Sequence, residues 1–430
     1  MTTRGRSALV FIFALAASPL AAAPFLVPDV PYRCNADQVT GANYTINFVE
    51  FRDNGKPWCE TELNDALAQV REAREQNPRT VVLIYVHGWK NNASEELSDD
   101  VTKFRNEVDR ISLILPRAEA GKKPPLIGIY MAWRGLTLTV EPFKTLSYWD
   151  RRGTARHVGQ TGAYDATARI VDEVQVARDR TTLIFIGHSF GARVLENTAD
   201  AAGQRPGFMT RHLVDMQRRL AARAQPRLNE ALSGKPPLPP ADMIIYLNAA
   251  SSSAVARHTI KEWSAICREG SDSPVCGAHP FWLAFTSTAD YDTGIIMPVA
   301  NTVLPAPSDH LRLISAANSS DLHTHEVPEV TCREKQKPDD FRCPPGSNAQ
   351  ACFGTIRSDQ KICYEVHKIH AKESVSPFWI MNVDGKLVDG HLDIWNEGVI
   401  NMILSIMRQQ EGTVNLLRDR IKQAEEAQQE

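Results

Sequence analysis

The sequence predicts an α/β protein built on a mostly parallel central sheet flanked by helices, and three observations lead there. From Thr80 onward, short β-branched runs alternate with longer amphipathic stretches, the rhythm of strand–helix–strand crossovers. The runs are nearly continuous in apolar residues, as strands covered on both faces are. The chain has 430 residues, 43% of them apolar. That is enough to bury a full core, and it excludes a disordered chain or a small disulfide scaffold.

The expected strands are Thr80 to Val86 (TVVLIYV), Leu126 to Trp133 (LIGIYMAW) and Thr182 to Ile186 (TLIFI), then Met243 to Leu247 (MIIYL), Phe281 to Phe285 (FWLAF) and Phe378 to Val383 (FWIMNV). Amphipathic patterns over Ser94 to Leu115, Asp165 to Arg178 and Leu392 to Met407 predict covering helices. Residues 24–78 precede this alternation and read as an N-terminal extension. Residues 204–240 break it with a basic helical segment and the Pro-rich GKPPLPPAD, and residues 303–376 break it with a cysteine-rich polar stretch. The expectation is one domain over 79–410 carrying two insertions, with a polar tail at 411–430.

At the front, Arg4 and Arg6 precede an apolar run from Ala8 to Ala17, and Ala21-Ala22-Ala23 follows. A charged start, a short apolar stretch and a small-residue exit make a secretory signal over residues 1–23. The run is shorter than the roughly 20 residues of a membrane span. No later stretch is apolar enough to cross a bilayer, so a soluble chain, secreted or periplasmic, is expected. There Cys34, Cys59, Cys267, Cys276, Cys332, Cys343, Cys352 and Cys363 would pair as disulfides. Short separations favour Cys34–Cys59 and Cys267–Cys276, leaving the last four to pair among themselves. A zinc site at Cys363, His367 and His370 is the alternative use of that cluster.

Lys and Arg number 48 against 51 Asp and Glu, a net charge of −3. No dense basic block occurs, so no nucleic-acid partner is expected.

The chemistry concentrates at one strand end. TTLIFI runs directly into Gly187-His188-Ser189-Phe190-Gly191, and the helix-like ARVLENTADAA follows. A G-x-S-x-G between strand and helix is the context of a nucleophile elbow, where small neighbours permit the tight turn that lifts the serine hydroxyl. The helix that follows aims its positive end at developing negative charge. An earlier strand ends in Tyr85-Val86-His87-Gly88-Trp89.

With these motifs the chain resembles the α/β-hydrolase superfamily, specifically its esterase- and lipase-like members, over roughly residues 80–302 and 377–410. The resemblance implies oxyanion donors at the backbone N–H groups of Trp89 and Phe190. It also implies the order serine, acid, histidine. The acid would be Asp290, since Ser287-Thr288-Ala289-Asp290 matches the S-x-x-D pattern of similar hydrolases. Asp292 is the alternative acid, its carboxylate pointing the same way on a period-2 backbone. His391, between the last strand and the last helix, stands where the superfamily keeps its base. His323 and His325 compete without a strand to place them, and His188 is expected to pack or orient beneath the turn.

The expected activity is therefore an exported serine hydrolase, its small-molecule substrate a carboxylic ester or thioester. Ser189, His391 and Asp290 would form its triad, with no metal or organic cofactor required. The alternative is a non-catalytic binding protein on a hydrolase scaffold, its insertions forming a partner surface. A lipase acting on membrane-derived lipid ranks lower, because the 204–240 insertion is Arg-rich where an apolar lid is needed. Trp89 and Trp133 would offer an apolar wall beside the site. Most of the chain between Asp290 and His391 is the cysteine-rich excursion, free either to roof the site or to hang from the sheet edge.

Overall fold

The computed structural model describes residues 26–408 apart from 35–37, 116, 118–120, 141–146, 200–205, 223–238, 269–275, 277–279, 304–314, 333–342 and 370–376. The proposed signal segment, His370, residues 223–238 of the first insertion and the tail at 411–430 lie outside the described residues.

Eight strands form the central sheet: β1 (Val39–Thr40), β2 (Tyr44–Phe51), β3 (Thr80–Val86), β4 (Leu126–Trp133), β5 (Thr181–His188), β6 (Met243–Leu247), β7 (Trp282–Ser287) and β12 (Phe378–Val383). Their order is β1-β2-β4-β3-β5-β6-β7-β12. Every pairing is parallel except β1 with β2. The helices α1 (Glu60–Gln76), α2 (Asp100–Ile114), α3 (Tyr148–Gln160), α4 (Gly162–Gln175), α5 (Phe190–Ala199), α6 (Phe208–Ala222) and α7 (Ser253–Arg268) follow in chain order. A π-helical turn at Asp292–Ile296 leads into α8 (Met297–Val303). A last helix, α9, runs over residues 397–408. The α/β class and the helix-covered, mostly parallel sheet are as the sequence predicts.

Two cores lie on the two faces. On β3, Val82, Ile84 and Val86 join α1, α4 and α5 in one core, whereas Val81, Leu83 and Tyr85 join α2 and α9 in the other. Alternate side chains of a strand point to opposite faces, so a strand covered on both sides must be apolar throughout. That is why the TVVLIYV run is legible.

The N-terminal extension needs correction. β1, β2 and α1 all come from residues 24–78, and β2 pairs along its whole length with β4. The sequence signal failed because TINFVEF places Asn47 and Glu50 inside the strand, and both are buried. Glu50 is tolerated there because the backbone N–H groups of Tyr32 and Arg33 bond its carboxylate. α3 also went unseen. YWDRRGTARHVGQ is largely polar, yet Tyr148, Arg151, Ala155 and Val158 make a buried stripe.

In the first insertion, α6 buries Phe208, Met209, Leu213 and Met216, and Phe208 stacks on Phe185 of β5 at 5.2 Å. The second excursion carries a small antiparallel sheet of β8 (His325–Glu326), β9 (Glu329–Val330), β10 (Ala351–Arg357) and β11 (Gln360–Lys368). It docks beside β12. Thr324 N–H donates to Ile380 O at 2.9 Å, Ile380 N–H returns a bond to Thr324 Oγ1 at 2.9 Å, and His325 stacks on Trp379 at 3.9 Å. The described part of the excursion thus covers the sheet's open edge, which would otherwise present unpaired backbone.

All eight cysteines are paired, as Cys34–Cys59, Cys267–Cys276, Cys332–Cys363 and Cys343–Cys352. Cys363 is thereby lost to the zinc alternative. Among the described residues no group of three His, Cys, Asp or Glu side chains could hold a metal ion. No described helix is long and apolar enough to cross a membrane.

Candidate active site

β5 extends through His188, so Ser189 occupies the turn between β5 and α5. Its φ of 54° lies in the left-handed region, which a non-glycine residue adopts only when its surroundings impose it. They do so on three sides. Ser189 N–H donates to Leu247 O at 3.0 Å, and Ser189 O accepts from Ala192 N–H at 3.2 Å and Ala250 N–H at 3.1 Å. The glycines around it have steric reasons. A Cβ on Gly191 would stand 2.0 Å from the carbonyl oxygen of Val86, and one on Gly88 would stand 2.6 Å from the Cβ of Ser189.

Gly88 belongs to the loop after β3. His87 is fully buried, its Nδ1–H donating to Gly88 O at 2.9 Å and its Nε2 accepting from Trp133 N–H at 3.1 Å. Burial drives its pKa down to about 4, so the ring stays neutral and keeps this tautomer. The Trp133 indole donates to His87 O at 3.0 Å and stacks parallel to the ring. Trp133, expected as an apolar wall, therefore also fixes the loop. Trp89 follows. Its indole donates to Ser147 Oγ at 3.0 Å and its ring packs on Phe190 at 6.2 Å. The backbone N–H groups of Trp89 and Phe190 have no acceptor among the described residues.

Asp290 and His391 meet. His391 Nδ1 lies 3.0 Å from both carboxylate oxygens of Asp290. The carboxylate also accepts Thr293 N–H at 3.1 Å and Thr293 Oγ1–H at 2.5 Å. Burial pushes the Asp290 carboxyl up, but His391 and Thr293 together outweigh it and hold it below the ordinary carboxylate value. Asp292, the alternative acid, opens the π-helical turn. β7 ends at Ser287 and the chain turns from Thr288 onward, so the period-2 argument for its carboxylate lapses.

The other histidines have separate places. His323 bonds Ala317 O at 2.8 Å, and His325 bonds Thr324 and Gln350 beside β12. His188 is buried under the turn, its ring 4.8 Å from that of His391, and its Nε2–H donates to His391 O at 2.9 Å. Burial and then the charge of His391 hold it neutral, down to about 3.

Asn248 was not anticipated. At φ 42° after β6, its Nδ2 donates to Gly390 O at 3.1 Å and His391 O at 2.9 Å, while its Oδ1 accepts Ser287 N–H at 3.0 Å. The residue thus ties the ends of β6 and β7 to the loop bearing His391. In chemical terms the arrangement offers a serine in a left-handed turn, backbone N–H groups at Trp89 and Phe190 without an acceptor among the described residues, and an imidazole bonded to a carboxylate.

No family model matches the chain. No curated protein matches it either. Solved structures to which it is similar include the catalytic core domain of acetyl xylan esterase from Trichoderma reesei, at 10% identity and a TM-score of 0.21, covering 41% of this chain and 66% of that one. Phospholipase PlaB from Legionella pneumophila, in complex with thio-NAD, is similar at 13% identity and a TM-score of 0.24, covering 67% of this chain and 49% of that one. This chain therefore spans just under two thirds of the esterase core and about half of the phospholipase. Scores this low establish no common activity, and the site stands on its own geometry.

Proposed function

We propose that the chain is an exported serine hydrolase that cleaves a carboxylic ester or thioester through an acyl-enzyme intermediate. The observation that carries the reading is the hydrogen bond between His391 Nδ1 and Asp290, beside a serine held in a left-handed turn. Ser189 Oγ attacks the substrate carbonyl while His391 Nε2 takes its proton. The tetrahedral oxyanion is received by the N–H groups of Trp89 and Phe190, a contribution of about 100- to 1000-fold per donor. His391 then protonates the departing alcohol or thiol, and water, activated by the same imidazole, releases the acid. Asp290 keeps the proton on Nδ1 and stabilises the imidazolium. The signal pattern of residues 1–23 and the four disulfides support export.

Hydrolysis of short-chain 4-nitrophenyl esters by the wild type and by Ser189→Ala tests this reading. The wild type should turn over and the variant should lose essentially all activity; equal rates would sink the assignment.

A further inference from the structure

α3 and α5 pack side by side, and their N-terminal ends hold an unusual set of donors. Tyr148, at the start of α3, packs its ring on Phe190 at 5.1 Å and on Trp89 at 5.5 Å, the two residues proposed as oxyanion donors. Arg152 lies one turn further along α3, and Arg193 one turn along α5 from Phe190, a rise of about 5 Å. The Tyr148 hydroxyl and the Nε atoms of Arg152 and Arg193 are cut off from solvent and have no hydrogen-bond partner among the described residues.

Leaving one buried donor unsatisfied costs about 1–3 kcal/mol, and here three stand in one cluster. Arginines buried as whole residues are provided for, whereas Arg152 and Arg193 are half-buried with their Nε atoms covered. Arg151 bonds Asp53 at 2.7 Å, Arg178 bonds Asp242 at 2.8 Å and Arg74 bonds Glu173 at 3.1 Å. Arg152 and Arg193 form no such pair among the described residues. Burial and then the charge of Arg152 pull Arg193 down to about 10, with Arg156 adding to the repulsion and Glu196 opposing it. Three guanidinium groups thus act here against one carboxylate. The first turns of two helices add their positive ends.

We infer that the Tyr148–Arg152–Arg193 cluster binds an anionic group of the ester cleaved at Ser189, a carboxylate or phosphate carried about one helical turn from the scissile carbonyl. This rests on the proposed hydrolase and names its substrate class. A guanidinium offers paired donors matched to either oxyanion, and the tyrosine hydroxyl supplies another. A neutral ester of the same length leaves all three donors unsatisfied, so selectivity comes from their being buried.

The test compares the mono-4-nitrophenyl ester of adipic acid with uncharged 4-nitrophenyl hexanoate, which has the same acyl length. The wild type should favour the charged ester at least tenfold in kcat/KM. Arg152→Gln should bring that ratio towards one, and Tyr148→Phe, which keeps the ring packing, should lower it about threefold. A wild-type ratio of one or less, or a ratio that both variants leave alone, overturns the inference. Calorimetry with succinate and with inorganic phosphate separates the two oxyanions and needs no catalysis. Binding of either that is lost in Arg152→Gln supports the site, and binding of neither overturns it. Failure to cleave any ester would count against the hydrolase reading, while the calorimetry would still decide the anion site.

Discussion

The side-chain amide of Asn248 donates to the backbone carbonyl of His391 at 2.9 Å, although 143 residues separate them in the chain. His188 Nε2–H reaches the same carbonyl at 2.9 Å. Two donors on one oxygen fix the plane of that peptide, and with it the direction in which the imidazole leaves the backbone. Asn248 Oδ1 meanwhile holds Ser287 N–H, three residues before Asp290. One side chain therefore keeps the carboxylate and the imidazole in register.

Asn248→Ala should lower kcat by roughly 10- to 100-fold with little change in KM, since small misplacements of a reacting group are costly. It should also cost about 1–3 kcal/mol of stability for the groups left unpaired. Steady-state kinetics beside urea denaturation separate the two effects. A stability loss with kcat intact would make Asn248 a structural residue alone.

Asp290→Asn keeps the shape of the side chain but favours the wrong imidazole tautomer. The expected loss in kcat is roughly 10 000-fold. Asp292→Asn should change kcat by less than tenfold, and a reversal of these two results would transfer the acid role to Asp292. Because the folded Asp290 carboxyl lies below its ordinary value, its contribution to stability is present above about pH 4 and is lost as pH falls through the lowered value.

Burial also holds four described histidines neutral, His188 down to about 3 and His87, His212 and His325 to about 4. Unfolded histidine gains its proton near pH 6.5, so their effect favours the fold above that value and opposes it progressively below. Each contributes on the order of 1.4 kcal/mol per pH unit. Burial holds Asp100 up to about 6 and Glu62 up to about 8, and it raises Glu50 and Glu107 as well; these four carboxyls act in the opposite sense. The four histidines act across the whole span from pH 6 to pH 4, whereas Glu50 and Glu107, with smaller shifts, act over only part of it, so the expected outcome is a loss of stability between pH 6 and pH 4. Denaturation midpoints that stay level over that window would contradict this.

Cys332 and Cys363 staple a small sheet that docks beside β12, and Arg357 at the end of its strand β10 bonds Leu387 O at 3.1 Å in the loop that leads to His391. Replacing both with serine should reduce stability by about 2–5 kcal/mol while ester hydrolysis per folded molecule persists. Loss of activity in fully folded protein would place the excursion in the site.

How much of this could be read from the chain depends on whether a residue's reason is local. Val82 and Ile84 are apolar because both faces of β3 are covered, and that leaves a run visible in sequence. Gly191 is required by a carbonyl 2.0 Å from where its Cβ would be, and Ser189 lies in a motif whose spacing is itself the turn. Asp290 and His391 were legible only through resemblance, because nothing near either residue points to a partner so far away in sequence. β2 was hidden by Glu50, whose burial is compensated by N–H groups from another segment. Asn248 reads as an ordinary turn residue until the loop it holds has folded. The arginines of α3 and α5 read as solvated charges until two helices are set side by side.

The most direct measurement is peptide mapping after treatment with a fluorophosphonate probe, which reacts only with an activated hydroxyl. The account predicts a single covalent adduct on Ser189, absent in Ser189→Ala and strongly slowed in Asp290→Asn. No adduct on folded protein, or an adduct on another residue with Ser189 untouched, would contradict it.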